Sequence, residues 1–297
     1  MAKTRVAING FGRIGRTFFR KAYQHPDLEI VAINDLGDIK NLAYLLTYDT
    51  AYGRLEDTVT TEESALIVGG KKIAFFSERE PTKLPWKDQN IDIVVESSGV
   101  FTSYEKAKVH LAQGAKRVII SAPVSDTPED AGVSGATVLM GVNDEKLGTW
   151  NMTSNASCTT NATSPLIGIL KKEIGIEKAI LNTVHAYTAS QSIVDGPNKK
   201  DFREGRAAAQ NIVPSSTGAA KATTKAHTEL EGKFDGISMR VPVTVGSIVD
   251  VTFIASRNTT VEEVNEALKR ASQQPEWAGI FAVTDEPIVS SDIIGAE

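Results

Sequence analysis

The sequence predicts an α/β protein: a doubly wound dinucleotide-binding domain followed by an α+β catalytic domain with a mostly antiparallel sheet. Three observations carry that prediction. The first half alternates short β-branched runs with stretches of helical spacing, the order that builds a mostly parallel sheet with helices on both faces. A glycine-rich turn, Gly10-Phe11-Gly12-Arg13-Ile14-Gly15, separates the first strand from the first helix. The second half turns to longer strands and one extended polar stretch, a change of character that marks a second domain. The expected boundaries are residues 1–156 and 157–297.

Taken in order, Thr4 to Asn9 reads as a buried strand. Phe11, Ile14, Phe18, Phe19 and Ala22 then recur near helical spacing, predicting a helix up to Tyr23. Leu28 to Asn34 is a second strand and Ile39 to Tyr48 a second helix, while Ala65 to Phe76 reads as a hairpin turning at Gly69-Gly70. Ile91 to Glu96, Tyr104 to Gln113 and Arg117 to Ser121 repeat strand, helix, strand. Beyond them come a helix over Thr160 to Glu173 and a strand over Lys178 to His185. The polar stretch Tyr187 to Gln210 has no period, and a loop that long in a compact domain is usually functional. Strands follow at Gly236 to Val241 and Ile248 to Ala255, then a helix over Val261 to Gln274 opened by Thr260 and Glu263 as a capping pair. Ile288 to Ile294 is again strand-like.

Composition removes several function classes. A formal net charge of -5 leaves no basic footprint for nucleic acid or an anionic membrane surface. No apolar run approaches the roughly 18 residues of a membrane helix. The opening residues enter a strand pattern without a leader, which points to the cytoplasm. With Cys158 as the only cysteine, no disulfide can form within the chain. Neither H-E-x-x-H nor C-x-x-C is present, so no metal site is expected.

In the glycine turn, Gly10 permits the bend, Gly12 admits a pyrophosphate to the backbone, and Gly15 lets helix and strand approach. The free N–H groups of the helix N-terminus then favour phosphate. Asp35 ends the second strand, about 20 residues past the last glycine, where an acid binds a ribose 2′-hydroxyl. A carboxylate there repels a 2′-phosphate, so the expected cofactor is NAD rather than NADP.

Ser157 can cap the helix that follows it, which puts Cys158 in the first turn, where the positive helix end favours a thiolate. A free cysteine is more often a small buried hydrophobe. The hydroxyl and amide neighbours in Ser157-Cys158-Thr159-Thr160-Asn161 speak for the nucleophile. Of four histidines, His25 follows a helix end, and His110 and His227 lie in polar helical stretches and read as solvated. His185 ends a strand and enters the long loop. A strand histidine is commonly structural, yet a thiol nucleophile needs a base and His185 is the best placed of the four.

These stretches resemble the glyceraldehyde-3-phosphate dehydrogenases from about Arg5 to Gly295. The matching strings are NGFGRIGR at Asn9 to Arg16, Asn34-Asp35-Leu36, SNASCTTN at Ser154 to Asn161 and TVHAYT at Thr183 to Thr188. Val194-Asp195-Gly196-Pro197, PSSTGAA at Pro214 to Ala220, and Arg240-Val241-Pro242 complete them. The resemblance implies NAD-dependent oxidation and phosphorylation of D-glyceraldehyde 3-phosphate, with Cys158 as nucleophile and His185 as base. It further implies Thr188 and Arg240 at the substrate's phosphate, with Ser157, Thr159, Thr217 and Gly218 at the attacking inorganic phosphate. Arg13, Ile14, Asp35, Arg79 and Ser121 match cofactor contacts, and the family implies a homotetramer. Ala162 replaces a second cysteine that many members carry, and Val243 to Gly246 is a variant stretch. The family continues past the position of Glu297 with a segment supplying a nicotinamide-contacting Asn and a closing helix, so the chain as written is expected to lack it. Two rivals are a related sugar-phosphate aldehyde dehydrogenase acting on erythrose 4-phosphate and a truncated, inactive binding homologue.

Overall fold

Val6 and Ile8 of strand β1 (Thr4–Asn9) are almost fully buried, and the rest of the first unit is built outward from that strand. The computed structural model describes residues 2–296; Met1 and Glu297, the outer ends of the two expected domains, lie outside them. The chain divides into Met1–Val138 with Glu145–Ala156, and Leu139–Asp144 with Ser157–Glu297.

In the first unit β1 is followed by α1 (Arg13–Ala22), β2 (Leu28–Asn34) and α2 (Ile39–Thr47). A short ribbon, β3 (Tyr48–Asp49) with β4 (Gly53–Arg54), leads to β5 (Val59–Glu62), β6 (Ala65–Val68) and β7 (Lys71–Phe76). Then come β8 (Ile93–Glu96), α3 (Tyr104–Ala107), α4 (Val109–Ala112), β9 (Arg117–Ile120), α5 (Pro128–Ala131), β10 (Gly135–Thr137) and β11 (Met152–Ser154). Nine strands form one sheet in the order β10-β11-β9-β8-β1-β2-β7-β6-β5. Every pairing from β10 to β7 is parallel, and only the edge pairs β5–β6 and β6–β7 are antiparallel. The unit is therefore doubly wound, as expected. Phe11, Phe19, Ile33, Leu46 and Leu66 fill one core cluster; Trp86, Ile91 and Val94 belong to another. The chain leaves β1 toward β2 on one side and later returns to β8 on the other. Such a switch point opens a crevice at the carboxyl ends of the strands, where open α/β sheets take their ligands.

The second unit contains α6 (Cys158–Glu173), β12 (Ile176–Ala186), β13 (Val213–Ser216), α7 (Ala219–Ala226), β14 (Phe234–Val241), β15 (Ser247–Ala255) and α8 (Val261–Ser272). Its sheet runs β13-β14-β12-β15, with β12–β14 parallel and the two outer pairings antiparallel. Alternation along β15 sends Val249, Val251 and Phe253 toward Ile167 of α6 and Ala219 and Ala220 of α7. Ala267 of α8 closes on Leu170 of α6 and on Ile174, which caps its end. The opposite sheet face carries Ile180, Ile237, Ile248 and Ile254, all exposed.

Several local expectations need correction. Tyr104 to Gln113 is not one helix: at Lys108 the hydrogen bonding tightens, Leu111 donating to the Lys108 carbonyl, and α3 gives way to α4. Ile288 to Ile294 is a turn rather than a strand, because local bonds such as Asp292 N–H to Val289 O satisfy its backbone. Thr260 caps α8, but the Glu263 carboxylate turns to Arg257 and Thr259, so only half of the expected capping box forms. His110 and His227 are buried rather than solvated. Trp86 donates to Nδ1 of His110, whose Nε2–H donates to Glu96. His227 Nε2–H donates to the Ser164 carbonyl, and burial holds its imidazole below the ordinary range.

Candidate active site

The nucleotide site of the first unit is built at the carboxyl ends of β1, β2, β7 and β9. Gly10 has φ +93° and a Cβ there would collide with the Ser98 backbone; at Gly15 it would collide with the Gly10 carbonyl. The strand ends and the helix thus meet without side chains between them. At Gly12, the N-cap of α1, a Cβ would meet nothing within 4 Å, and no side chain caps the helix. Open space over an uncapped helix N-terminus fits a dinucleotide's phosphates. Asp35 reaches back to this turn: its carboxylate accepts from the N–H of Phe11 at 2.6 Å and of Gly37 at 2.7 Å. A carboxylate has about four acceptor sites, so two remain for ribose hydroxyls. Arg13 pairs with Asp49 at 3.2 Å, and Ile14 stands exposed on the first turn of α1. Arg79 is exposed just beyond β7, and Ser121, after β9, donates its hydroxyl to the Glu96 carbonyl.

Sequence reading missed the polar network beneath this crevice. Glu96, Asn9 and Asn34 are almost fully buried at adjacent strand ends, and His110 of α4 is buried with them. Glu96 accepts from Asn9, from the N–H and hydroxyl of Ser98, and from His110. An unpartnered buried carboxylate costs several kcal/mol, on the order of the desolvation penalty, whereas here donors surround it. The signal in the sequence was a polar residue closing each of three apolar strands.

The second unit holds a thiol centre of its own. Ser157 accepts from the Thr160 N–H at 3.1 Å and so caps α6, which sets Cys158 as the first helical residue, with its thiol exposed. Ala156 before the cap is held at φ +54°, a left-handed conformation costing a non-glycine residue about 1 kcal/mol. Cys158 Sγ lies 3.2 Å from Nε2 of His185. That hydrogen bond draws the Cys158 thiol below its usual range, against burial, which pushes it up; donors from Thr159 add to the lowering. The same bond raises the imidazole of His185, while the Arg240 charge opposes the rise. His185 and Arg240 are register partners in the parallel pair β12–β14. Arg240 Nη1 stands 2.6 Å from His185 Nδ1.

The other expected residues are near chain turns. Thr188, exposed in the loop after β12, donates its N–H to Gln191 Oε1, and its hydroxyl meets Ser190. Gln191, unread in the sequence, is buried and holds this turn. Thr217 and Gly218 precede α7, which packs beside α6; Thr217 Oγ1 accepts from the Ala219 N–H. Thr159 is buried, while a Cβ at Gly218 would meet nothing within 4 Å. Among the described residues no three His, Cys, Asp or Glu side chains gather as metal ligands, and no helix is long and apolar enough to cross a membrane.

A doubly wound dinucleotide unit followed by a unit that pairs a thiol with an imidazole defines a class, the nicotinamide-dependent oxidoreductases. Comparison with known proteins narrows it. Residues 4–104 match the glyceraldehyde 3-phosphate dehydrogenase NAD binding domain, and residues 157–297 match the C-terminal domain of the same family. The chain is 51% identical to glyceraldehyde-3-phosphate dehydrogenase 2 of Streptomyces avermitilis, over 98% of this chain and 85% of that one. It is 49% identical to the glyceraldehyde-3-phosphate dehydrogenase of Cryphonectria parasitica and 47% identical to that of Clostridium pasteurianum, in each case over 98% of this chain and 84% of the relative. The chain belongs to the glyceraldehyde-3-phosphate dehydrogenase family. It is an NAD-dependent oxidoreductase.

Proposed function

We propose that the protein oxidises D-glyceraldehyde 3-phosphate with NAD and inorganic phosphate to 1,3-bisphosphoglycerate, in glycolysis and gluconeogenesis. The observation that carries this reading is the 3.2 Å approach of Cys158 Sγ to His185 Nε2 at a helix N-terminus, in a chain of this family. Residues 1–156 are proposed as the NAD-binding domain and 157–297 as the catalytic domain.

The Cys158 thiolate adds to the aldehyde carbon, forming a thiohemiacetal. The Cys158 N–H and the Nε2–H of His185 stabilise the oxygen as its charge develops. His185 returns that proton to the oxygen and takes it again as the carbon is oxidised, leaving a thioester on Cys158. NAD, when bound, supplies the hydride acceptor. Inorganic phosphate then attacks the thioester and the thiolate departs. Thr188 and Arg240 are proposed to hold the substrate's own phosphate, with guanidinium well suited to bidentate contact. Ser157, Thr159, Thr217 and Gly218 are proposed for the attacking phosphate, supplied by the open N-terminus of α7 and the hydroxyls beside the thiol. The glycine turn with Arg13, Ile14, Asp35, Arg79 and Ser121 is proposed to hold NAD.

The direct test follows NADH at 340 nm with the aldehyde, NAD and phosphate, beside erythrose 4-phosphate. Phosphate-dependent turnover favouring the three-carbon aldehyde supports the reading, whereas no turnover, or preference for the four-carbon sugar, removes it. Asp35→Ala is expected to weaken NAD binding and narrow the preference over NADP, since it removes a ribose acceptor and a charge that repels the 2′-phosphate. Fluorescence titration with both cofactors measures this; a native protein that prefers NADP would overturn the role of Asp35.

The proposed partner is the chain itself, as a homotetramer. Support comes from the outer sheet face of the second unit, where Ile180 is 60% and Ile248 57% exposed beside Ile237 and Ile254. Large apolar side chains left exposed together on one sheet face commonly mark an association surface. Sedimentation should give a four-chain mass, and a monomer at micromolar concentration would count against it. The cytoplasm is the proposed compartment, because a working free thiol needs reducing surroundings.

A further inference from the structure

Gln191 holds Thr188 from both sides. Its backbone N–H donates to the Thr188 carbonyl at 2.9 Å, and its side-chain Oε1 accepts from the Thr188 N–H at 3.3 Å. One residue therefore meets both backbone polar groups of the other, with Ala189 and Ser190 between them. Those two and Thr188 are exposed, whereas Gln191 is only 7% exposed. A buried amide thus anchors a turn that leaves Thr188 and Ser190 on the surface.

The chain on either side is tied as well. The Tyr187 N–H donates to the Val243 carbonyl, and the Ser192 N–H to the Glu204 carbonyl. Asn198 Nδ2 donates to the Ser190 carbonyl at 3.1 Å. Between these ties it is Gln191 that fixes Thr188.

Stability alone does not ask for an amide at this position. Only the amide oxygen can accept from the Thr188 N–H, which settles the amide's orientation and turns Nε2 away. That nitrogen is buried with no hydrogen-bond partner among the described residues, a standing cost for a donor. A methionine of similar length would fill the space with no orphaned donor. Thr188 is exposed, so water can serve its N–H in the amide's place. Water cannot hold the residue in one position, however. A loop residue fixed before its ligand arrives pays less ordering cost on binding.

We propose that Gln191 is a positioning residue for the substrate's phosphate, fixing the Thr188 backbone so that its hydroxyl is already placed when the phosphate arrives. The inference rests on the reading of Thr188 as a substrate-phosphate residue. Nε2 of Gln191 has almost no accessible surface, so the amide acts through Thr188 and not on the ligand.

The test compares D-glyceraldehyde 3-phosphate with unphosphorylated D-glyceraldehyde, at saturating NAD and inorganic phosphate, in the native protein and in Gln191→Met. For the phosphorylated aldehyde, kcat/KM is expected to fall roughly five- to tenfold, the order of one lost hydrogen bond, while the phosphate-free aldehyde stays within about twofold. A general disturbance of the site lowers both together and overturns the inference. So does a melting temperature well below the native one, since that would make the amide a stability element. Thr188→Ala separates the inference from the reading beneath it. If this variant leaves the ratio between the two aldehydes unmoved, the role of Thr188 falls and the inference with it. If it moves the ratio and Gln191→Met does not, the inference alone falls. The double variant completes the cycle. With the Thr188 hydroxyl gone, Gln191→Met should add nothing further to the loss, and an additive loss overturns the inference.

Discussion

Cys158→Ser is expected to abolish dehydrogenase activity while NAD binding is retained. A serine hydroxyl has no thiolate character at neutral pH, so the hydrogen bond from His185 and the dipole of α6 have no ionised sulfur to stabilise. The carbon–sulfur intermediates cannot form, and loss of a nucleophile of this kind costs roughly 10⁶-fold in turnover. The glycine turn and Asp35 belong to the other unit of the chain, so cofactor titration should be unchanged. Stopped-flow measurement of NADH formation decides the matter. A variant with more than trace turnover would mean that some other group attacks the aldehyde.

His185→Asn should lower turnover by roughly 10²–10⁴-fold, the range for removing an acid–base group. The same change has a pH signature. In the native protein the hydrogen bond from His185 holds the thiol below its ordinary range, so thiolate persists on the acid side of the usual cysteine value near 8.5. Asparagine cannot carry the compensating charge, and the thiol returns upward. Alkylation of Cys158 should therefore slow markedly at pH 6–7 in the variant and converge with the native rate above the ordinary thiol range. If the two rate–pH profiles superimpose, His185 is not what ionises the thiol.

Local order explains how much was legible beforehand. The glycine turn was readable because Gly10 and Gly15 stand where any Cβ would strike backbone, a constraint that only glycine relieves. The cap at Ser157 was readable because a hydroxyl directly before a helical run has one obvious backbone donor to accept from. Asp35 shows the limit of such reading. Its position after β2 followed from the sequence, but its present partners, the N–H groups of Phe11 and Gly37, depend on how the strand end meets the turn.

The sequence by itself determined the doubly wound order of the first half, the helix that Ser157 caps, and the strands that carry His185 and Arg240 near their ends. These are consequences of short-range spacing, caps and turns, which neighbouring residues decide. Only the tertiary structure decided what depends on pairing across long separations. The parallel register of β12 with β14 sets His185 beside Arg240, 55 positions later in the chain. The packing of α6 on that sheet brings the thiol of Cys158 to 3.2 Å from the imidazole. His110 and His227 sit in stretches of polar composition, yet burial is settled by which elements cover a residue and by the partners that satisfy it there. A hydrogen bond between distant elements leaves no trace in local composition, so the sequence offered Cys158 and His185 as candidates while the contact between them came only from the fold.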